Sequence, residues 1–239
     1  MTADTAPADH DVTARLSADL LNAVEAVARH KEFSGVVRVT RGGVVVLERA
    51  YGLASRRWQV PVAVTTRFDI ASVTKLFTAV AVLQQVDAGT LDLDASIGTW
   101  VPLAGTEISA QVTLRHLLTH TSGLADDADE EAGESYEALW VDRPNYSVTR
   151  TADFLPQFAH KTARAAPGAD CRYCNVGYIL AGLALEAVTG QTFRDYVVEH
   201  VLARAGMETA GFFDMREAEP DVAEGWEPVR DGDDGPVTG

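Results

Sequence analysis

Cysteine is nearly absent: the 239 residues hold two, Cys171 and Cys174, in Cys-Arg-Tyr-Cys. A disulfide-stapled scaffold is thereby excluded, and a zinc knuckle would need a second such pair that the neighbouring sequence does not offer. Two ordinary thiols in a reducing compartment is the favoured reading, with a redox couple as its competitor. Positive charge is also in short supply, 20 basic against 35 acidic residues for a formal charge of −15. No nucleic-acid or anionic-membrane partner is expected, because each phosphate contact needs Lys or Arg on a net positive face. Long apolar runs are missing, and the opening stretch, Met1 to Asp11, lacks the basic-then-apolar layout of a secretory signal. A cytoplasmic protein is the expectation. What the chain does have is 46% hydrophobic residues, enough to bury a substantial core in one large domain or two small ones.

Lysine is the scarcest charged residue, three against 17 arginines, and this makes Lys75 informative. A site needing only positive charge would here most often carry arginine, whereas lysine can lose its proton when buried and act as a base. Lys75 closes Ser72-Val73-Thr74-Lys75 at the head of an apolar, helix-like run. Residues three apart on a helix lie one above the other, so the amine can reach the hydroxyl: a nucleophile with a base beside it. Free N–H groups and the positive end of the dipole at a helix start also suit a developing oxyanion. The competing reading is a surface lysine behind a serine cap.

Around this motif the pattern is mixed. Leu16, Leu20, Leu21, Val24 and Val27 predict an amphipathic helix from about Val12 to His30 that packs on a sheet. Gly35 to Thr40 and Val44 to Ala50, linked by Arg41-Gly42-Gly43, predict a hairpin. The serine-lysine helix should run to about Asp87 with Gly89 as its stop. Further helices are expected at Thr113 to Thr119, ended by Ser122-Gly123, at Val176 to Val188, closed by Gly190, and at Thr192 to Ala205. Seven acidic residues between Asp126 and Glu137 read as a solvated loop, since their spacing follows no calcium loop. Two strands rarely hold a sheet alone, so the sheet is expected to be short of strands.

Three segments together resemble the penicillin-recognising serine hydrolases, the superfamily of class C β-lactamases, D-alanyl-D-alanine carboxypeptidases and related esterases (family VIII-like). They are Ser72-Val73-Thr74-Lys75, Tyr173-Cys174-Asn175, and Leu114 to Leu124, which reads Leu-Arg-His-Leu-Leu-Thr-His-Thr-Ser-Gly-Leu. The resemblance implies that Ser72 attacks an ester or amide carbonyl to give an acyl-enzyme. Lys75, buried against the tyrosine, and Tyr173 would share the serine proton, with either as base, and Asn175 would orient Lys75 and bind substrate. A helix-cap role for Asn175 is compatible with this. Cys174 replaces a more usual serine and is not assigned as a nucleophile. No cofactor is implied. His116 and His120 lie four apart, as zinc ligands can, but the intervening residues lack the glutamate of the metalloprotease pattern. A metal or redox role for His116, His120, Cys171 and Cys174 is the minor reading.

The fold implied is α+β, β-lactamase/transpeptidase-like, a helical domain against an antiparallel sheet whose C-terminal strands are missing from this chain. Residues 1–239 are taken as one incomplete domain: 12–65 the helix and hairpin of the sheet part, 66–215 the mainly helical region with the motifs, and 216–239 a loosely structured tail. The family's third motif, His-x-Gly or Lys-Thr-Gly on a strand, is not found, and it would supply an oxyanion donor worth about a hundredfold to a thousandfold in rate. Two readings follow: a serine hydrolase acting on a β-lactam, D-amino-acid peptide or small ester, or a non-catalytic domain that binds a ligand or partner. Self-association through the exposed sheet edge is the expected protein contact.

Overall fold

Gly42 and Gly43 take φ of 56° and 81°, the left-handed pair that a two-residue hairpin turn requires. The turn brings β1 (Gly35–Arg41) and β2 (Val44–Tyr51) together antiparallel, with a register shift between Val39 and Thr40. This hairpin belongs to a computed structural model that describes residues 7–30, 33–129, 133–214 and 216–226. The described residues form two compact units, one from the chain up to Asp69 together with the stretch from Glu219, the other Ile70–Ala218.

In the first unit, α1 (Pro7–His30) lies against β2, burying Ala28 and Leu47. The helix starts before the expected Val12, and its covered stripe is Leu20, Leu21, Val24 and Ala28. Val27, only about 20° round the helix from Leu20 at 100° per residue, is nevertheless 61% exposed, and Ala28 is the buried residue of the last turn; the side chain of Leu16 lies outside the described residues. A second small antiparallel pair, β3 (Leu53–Ser55) with β4 (Val60–Pro61), follows. The tail is less loose than its composition predicts. Arg67 N–H donates to the Asp221 carbonyl at 2.7 Å, Ala223 N–H to Arg67 at 2.9 Å, and Ser55 Oγ to Glu224 at 2.7 Å. Polar side chains do not stop a backbone from pairing, which needs only its own N–H and C=O groups. Met215 and residues 227–239 of that expected tail lie outside the described residues.

The second unit is built on α4 (Val176–Thr189), whose Leu180, Ala181, Ala184 and Leu185 are fully buried. Gly190, at φ 68°, ends it. α2 (Thr74–Asp87) packs on α4 through Thr78, Ala81 and Val82 and stops before Gly89, at φ 74°. Its other side is apolar and open, with Leu76 66% exposed. α3 (Leu114–Leu118) also lies on α4, where Gly177 has the Leu117 backbone so near that a Cβ would sit 3.4 Å from its carbonyl oxygen. The helix expected from Thr192 to Ala205 divides: α5 (Phe193–Val197) passes into a π-helical turn, Val198–Leu202. That turn sets both Val201 and Leu202 in the core with Ala81 and Leu185. No single helix among the described residues is long and apolar enough to cross a membrane.

Candidate active site

Packing of α2 on α4 brings the starts of the two helices together. Ser72 lies in a 3-10 turn, Ala71–Val73, that leads into α2, and Lys75 stands one turn later. Ala71 enters this turn at φ 44°, in the left-handed region that alanine seldom takes. The Ser72 N–H precedes the first turn bond, Val73 N–H to the Ile70 carbonyl at 3.0 Å, so it is placed as a free helix-start donor would be.

Tyr173 and Asn175 are carried in by the residues before α4, and the turn after α3 holds them. Thr113 and His116 open α3 with a reciprocal capping pair, each side chain meeting the other's backbone N–H. The helix stops at Leu118, ahead of the expected Ser122-Gly123, because His120 itself takes φ 59°. Gly123, at φ 71°, makes a second turn where a Cβ would collide with the Ala165 carbonyl oxygen. The His120 carbonyl accepts Arg172 N–H at 2.9 Å and its Nδ1 accepts Cys174 N–H at 3.1 Å. Its ring also packs 4.6 Å from that of Tyr173. Both histidines are thus engaged by backbone groups, and no cluster of three or more metal-ligating side chains occurs among the described residues.

All four sequence-predicted site residues meet here. The Tyr173 hydroxyl lies 2.7 Å from Ser72 Oγ, and Lys75 Nζ donates to Ser72 Oγ at 3.2 Å and to Asn175 Oδ1 at 2.7 Å. Nζ also stands 4.7 Å from the centre of the Tyr173 ring. Lys75 is half-exposed, not buried as expected, and Tyr173 is 53% exposed, so the face is open. Burial raises the Tyr173 phenol, but hydrogen bonding with Lys75 and Ser72 and the lysine charge outweigh it, leaving the group below its ordinary value of 10.0. His120 is held below its ordinary value by burial first and by the charge of Lys75 second. Cys174 is buried, which pushes its thiol up to about 11 and keeps it an inert thiol. Cys171 is free and exposed.

Asn175 occupies the cap position of α4, yet its side chain makes no cap bond. Asp126 does that work from the loop, Oδ1 accepting the N–H groups of Asn175 at 2.8 Å and Val176 at 3.0 Å. The acidic run is a solvated loop only in part: Asp126, Asp127 and Asp129 are covered, while Glu134 and Glu137 are exposed. Asp129 is buried between Arg164 and Arg172, and Glu134 accepts from Lys161 at 2.6 Å. Its partners lie 27 to 43 residues along the chain, beyond the reach of local charge counting. Glu130 and Glu131 lie outside the described residues. Asp126 and Tyr136, whose hydroxyl accepts from Asn175 Nδ2 at 2.9 Å, join the site without belonging to any of its sequence motifs. An aspartate close after the Ser-Gly turn was the one signal available for the first.

The sequence matches the family model described as Beta-lactamase over residues 21–238. It is 34% identical to an esterase, EstB, of Burkholderia gladioli, over 83% of this chain and 52% of that protein. It is also 34% identical to a D-aminopeptidase of Brucella anthropi, over 79% of this chain and 35% of that protein. A penicillin-binding protein from Bacillus halodurans has a similar structure, with a TM-score of 0.80 and 38% identity over 87% of this chain and 63% of that one. The chain thus spans about half, or less, of the curated relatives it matches.

Proposed function

This chain belongs to the beta-lactamase family, and on that footing we propose that it is a serine hydrolase forming an acyl-enzyme on Ser72 from a small ester or a D-amino-acid amide. The observation that carries the reading is the Ser72 hydroxyl within 2.7 Å of Tyr173 and 3.2 Å of Lys75. Tyr173 is the base. It is the nearer group, its phenol is eased toward ionisation, and Lys75 Nζ already donates to both Ser72 and Asn175. In the forward step Ser72 Oγ bonds to the carbonyl carbon while its proton passes to the Tyr173 oxygen. The tetrahedral adduct then breaks its bond to the alcohol or amine, which leaves with that proton. Water repeats the sequence: it attacks the acyl carbon, yields a proton to Tyr173, and Ser72 departs and takes the proton back. Lys75 beside both groups favours the phenolate and the anionic adduct.

The names of the relatives support the substrate class, one an esterase and one a D-aminopeptidase. A second reading has a specific basis, since these 239 residues contain neither Lys-Thr-Gly nor His-x-Gly. On it the same open face binds acyl or peptide ligands without turnover, or pairs with another chain along the hairpin edge. A fluorophosphonate probe followed by intact-mass measurement separates the two. One adduct on the unaltered chain and none on Ser72→Ala is expected; no adduct, or one that survives the substitution, sinks the hydrolase.

A further inference from the structure

The side-chain amide of Asn175 stands between two groups of fixed polarity. Lys75 Nζ, an ammonium with donors and no acceptor, reaches Asn175 Oδ1 at 2.7 Å. The Asp126 carboxylate has acceptors and no donor, and its Oδ2 takes Asn175 Nδ2 at 3.1 Å. The Tyr136 hydroxyl, 2.9 Å from Nδ2, can donate or accept and so dictates neither orientation. Turned over, the amide would set its NH2 against an ammonium and its oxygen against a carboxylate.

We propose that Asp126 is a positioning residue: it holds the Asn175 amide with its carbonyl oxygen toward Lys75, and through that oxygen keeps Nζ beside Ser72 Oγ. Capping and positioning are separate tasks of the same carboxylate. Oδ1 alone satisfies the N–H groups of Asn175 and Val176, so the contact from Oδ2 to the side chain adds nothing to the cap. An asparagine at 126 would still cap with its oxygen, but its NH2 would then face the NH2 of Asn175. Either that contact opens or Asn175 turns its own NH2 toward Lys75. In both cases the lysine loses a fixed partner. This role rests on the reading of Ser72 as the nucleophile only for its effect on rate; the orientation itself does not depend on it.

The test compares Asp126→Asn and Asp126→Ser in the full chain. Probe labelling of Ser72 should slow about tenfold or more in each, as misplacement of a reacting group does. Melting should fall modestly in Asp126→Asn, whose oxygen still reaches the two N–H groups without the charge, and further in the shorter Asp126→Ser, so labelling is compared at a temperature where each variant is folded. In an Asn175→Ala background the two substitutions should change labelling less than about twofold, because the residue they act through is gone. A second readout needs no reaction: the Lys75 Nζ–H signal in 15N NMR, assigned by its loss in Lys75→Arg, should be seen in the unaltered chain and vanish in Asp126→Asn. Asp126→Ser serves the same purpose if the first variant does not fold. Labelling at the unaltered rate, an equal loss in both backgrounds, or an unchanged Lys75 signal overturns the role. Should the unaltered chain take no probe, the hydrolase reading fails and the NMR signal still decides the place of Asp126.

Discussion

Replacing Tyr173 by phenylalanine removes one oxygen and leaves the ring, which makes it a sharp test of the proton path. That oxygen sits 2.7 Å from Ser72 Oγ, while the ring keeps its contacts with His120 at 4.6 Å and with Lys75 Nζ at 4.7 Å. Because the tyrosine is 53% exposed, the lost hydroxyl should cost no more than about 1 kcal/mol of stability. The loss in rate should be far larger. A positioned base contributes about a hundredfold to ten-thousandfold, or ~2.7 to 5.4 kcal/mol of the barrier. An ordinary phenol near pKa 10 is ionised to about one part in a thousand at pH 7, and the downward shift of Tyr173 raises that fraction. The sign for pH follows: labelling of Ser72 should rise with pH until the phenol is ionised, and Tyr173→Phe should lose that limb. Fluorophosphonate labelling rates between pH 6 and 10, read by intact mass beside a melting curve, measure all of this. A variant that folds, labels within about threefold of the unaltered chain and keeps the same pH limb would refute Tyr173 as the base and leave the task to Lys75.

Two further predictions concern stability. Cys174 has a folded-state thiol near 11 against an ordinary 9.0, so the unfolded chain releases that proton first. Stability is full below pH 9 and declines as pH rises toward 11, by at most about 2.7 kcal/mol; Cys174→Ser should lack that decline, and parallel alkaline melting profiles of the two proteins would exclude it. Asp129→Ala removes the shared partner of Arg164 and Arg172, and since both arginines retain some contact with water the cost should be about 2–4 kcal/mol in urea unfolding. A change under about 0.5 kcal/mol would show the cluster to be ornamental to folding.

What was legible in the sequence was what is written locally. Gly42-Gly43 specifies its turn, Gly89 and Gly190 end their helices, and Ser72 with Lys75 declares a shared helix face by spacing alone. Less local features were lost. The first part of the acidic run reads as solvated because opposite charges are counted along the chain, while Asp129 finds Arg172 across 43 residues of fold. Asn175 invited a cap because of its position and residue type, but a carboxylate from another loop outcompetes it, and a charged acceptor is the stronger partner for helix-start N–H groups. The π-helical turn after α5 carries no sequence mark; it follows from what Val201 and Leu202 must reach.

Ala71 carries a last consequence. Its φ of 44° costs an alanine about 1–2 kcal/mol, so the turn presenting Ser72 is not one that this short stretch would choose alone. An excised peptide beginning there would relax. The nucleophile's address is then held by its surroundings: the Val73 N–H bond to Ile70 behind it, the Tyr173 hydroxyl and Lys75 beside it, and the packing of α2 on α4 that brings those partners in. For an evolving or engineered lineage this makes the serine's placement a shared property of two helices: a change that shifts the start of α4 moves the partners that hold residue 72.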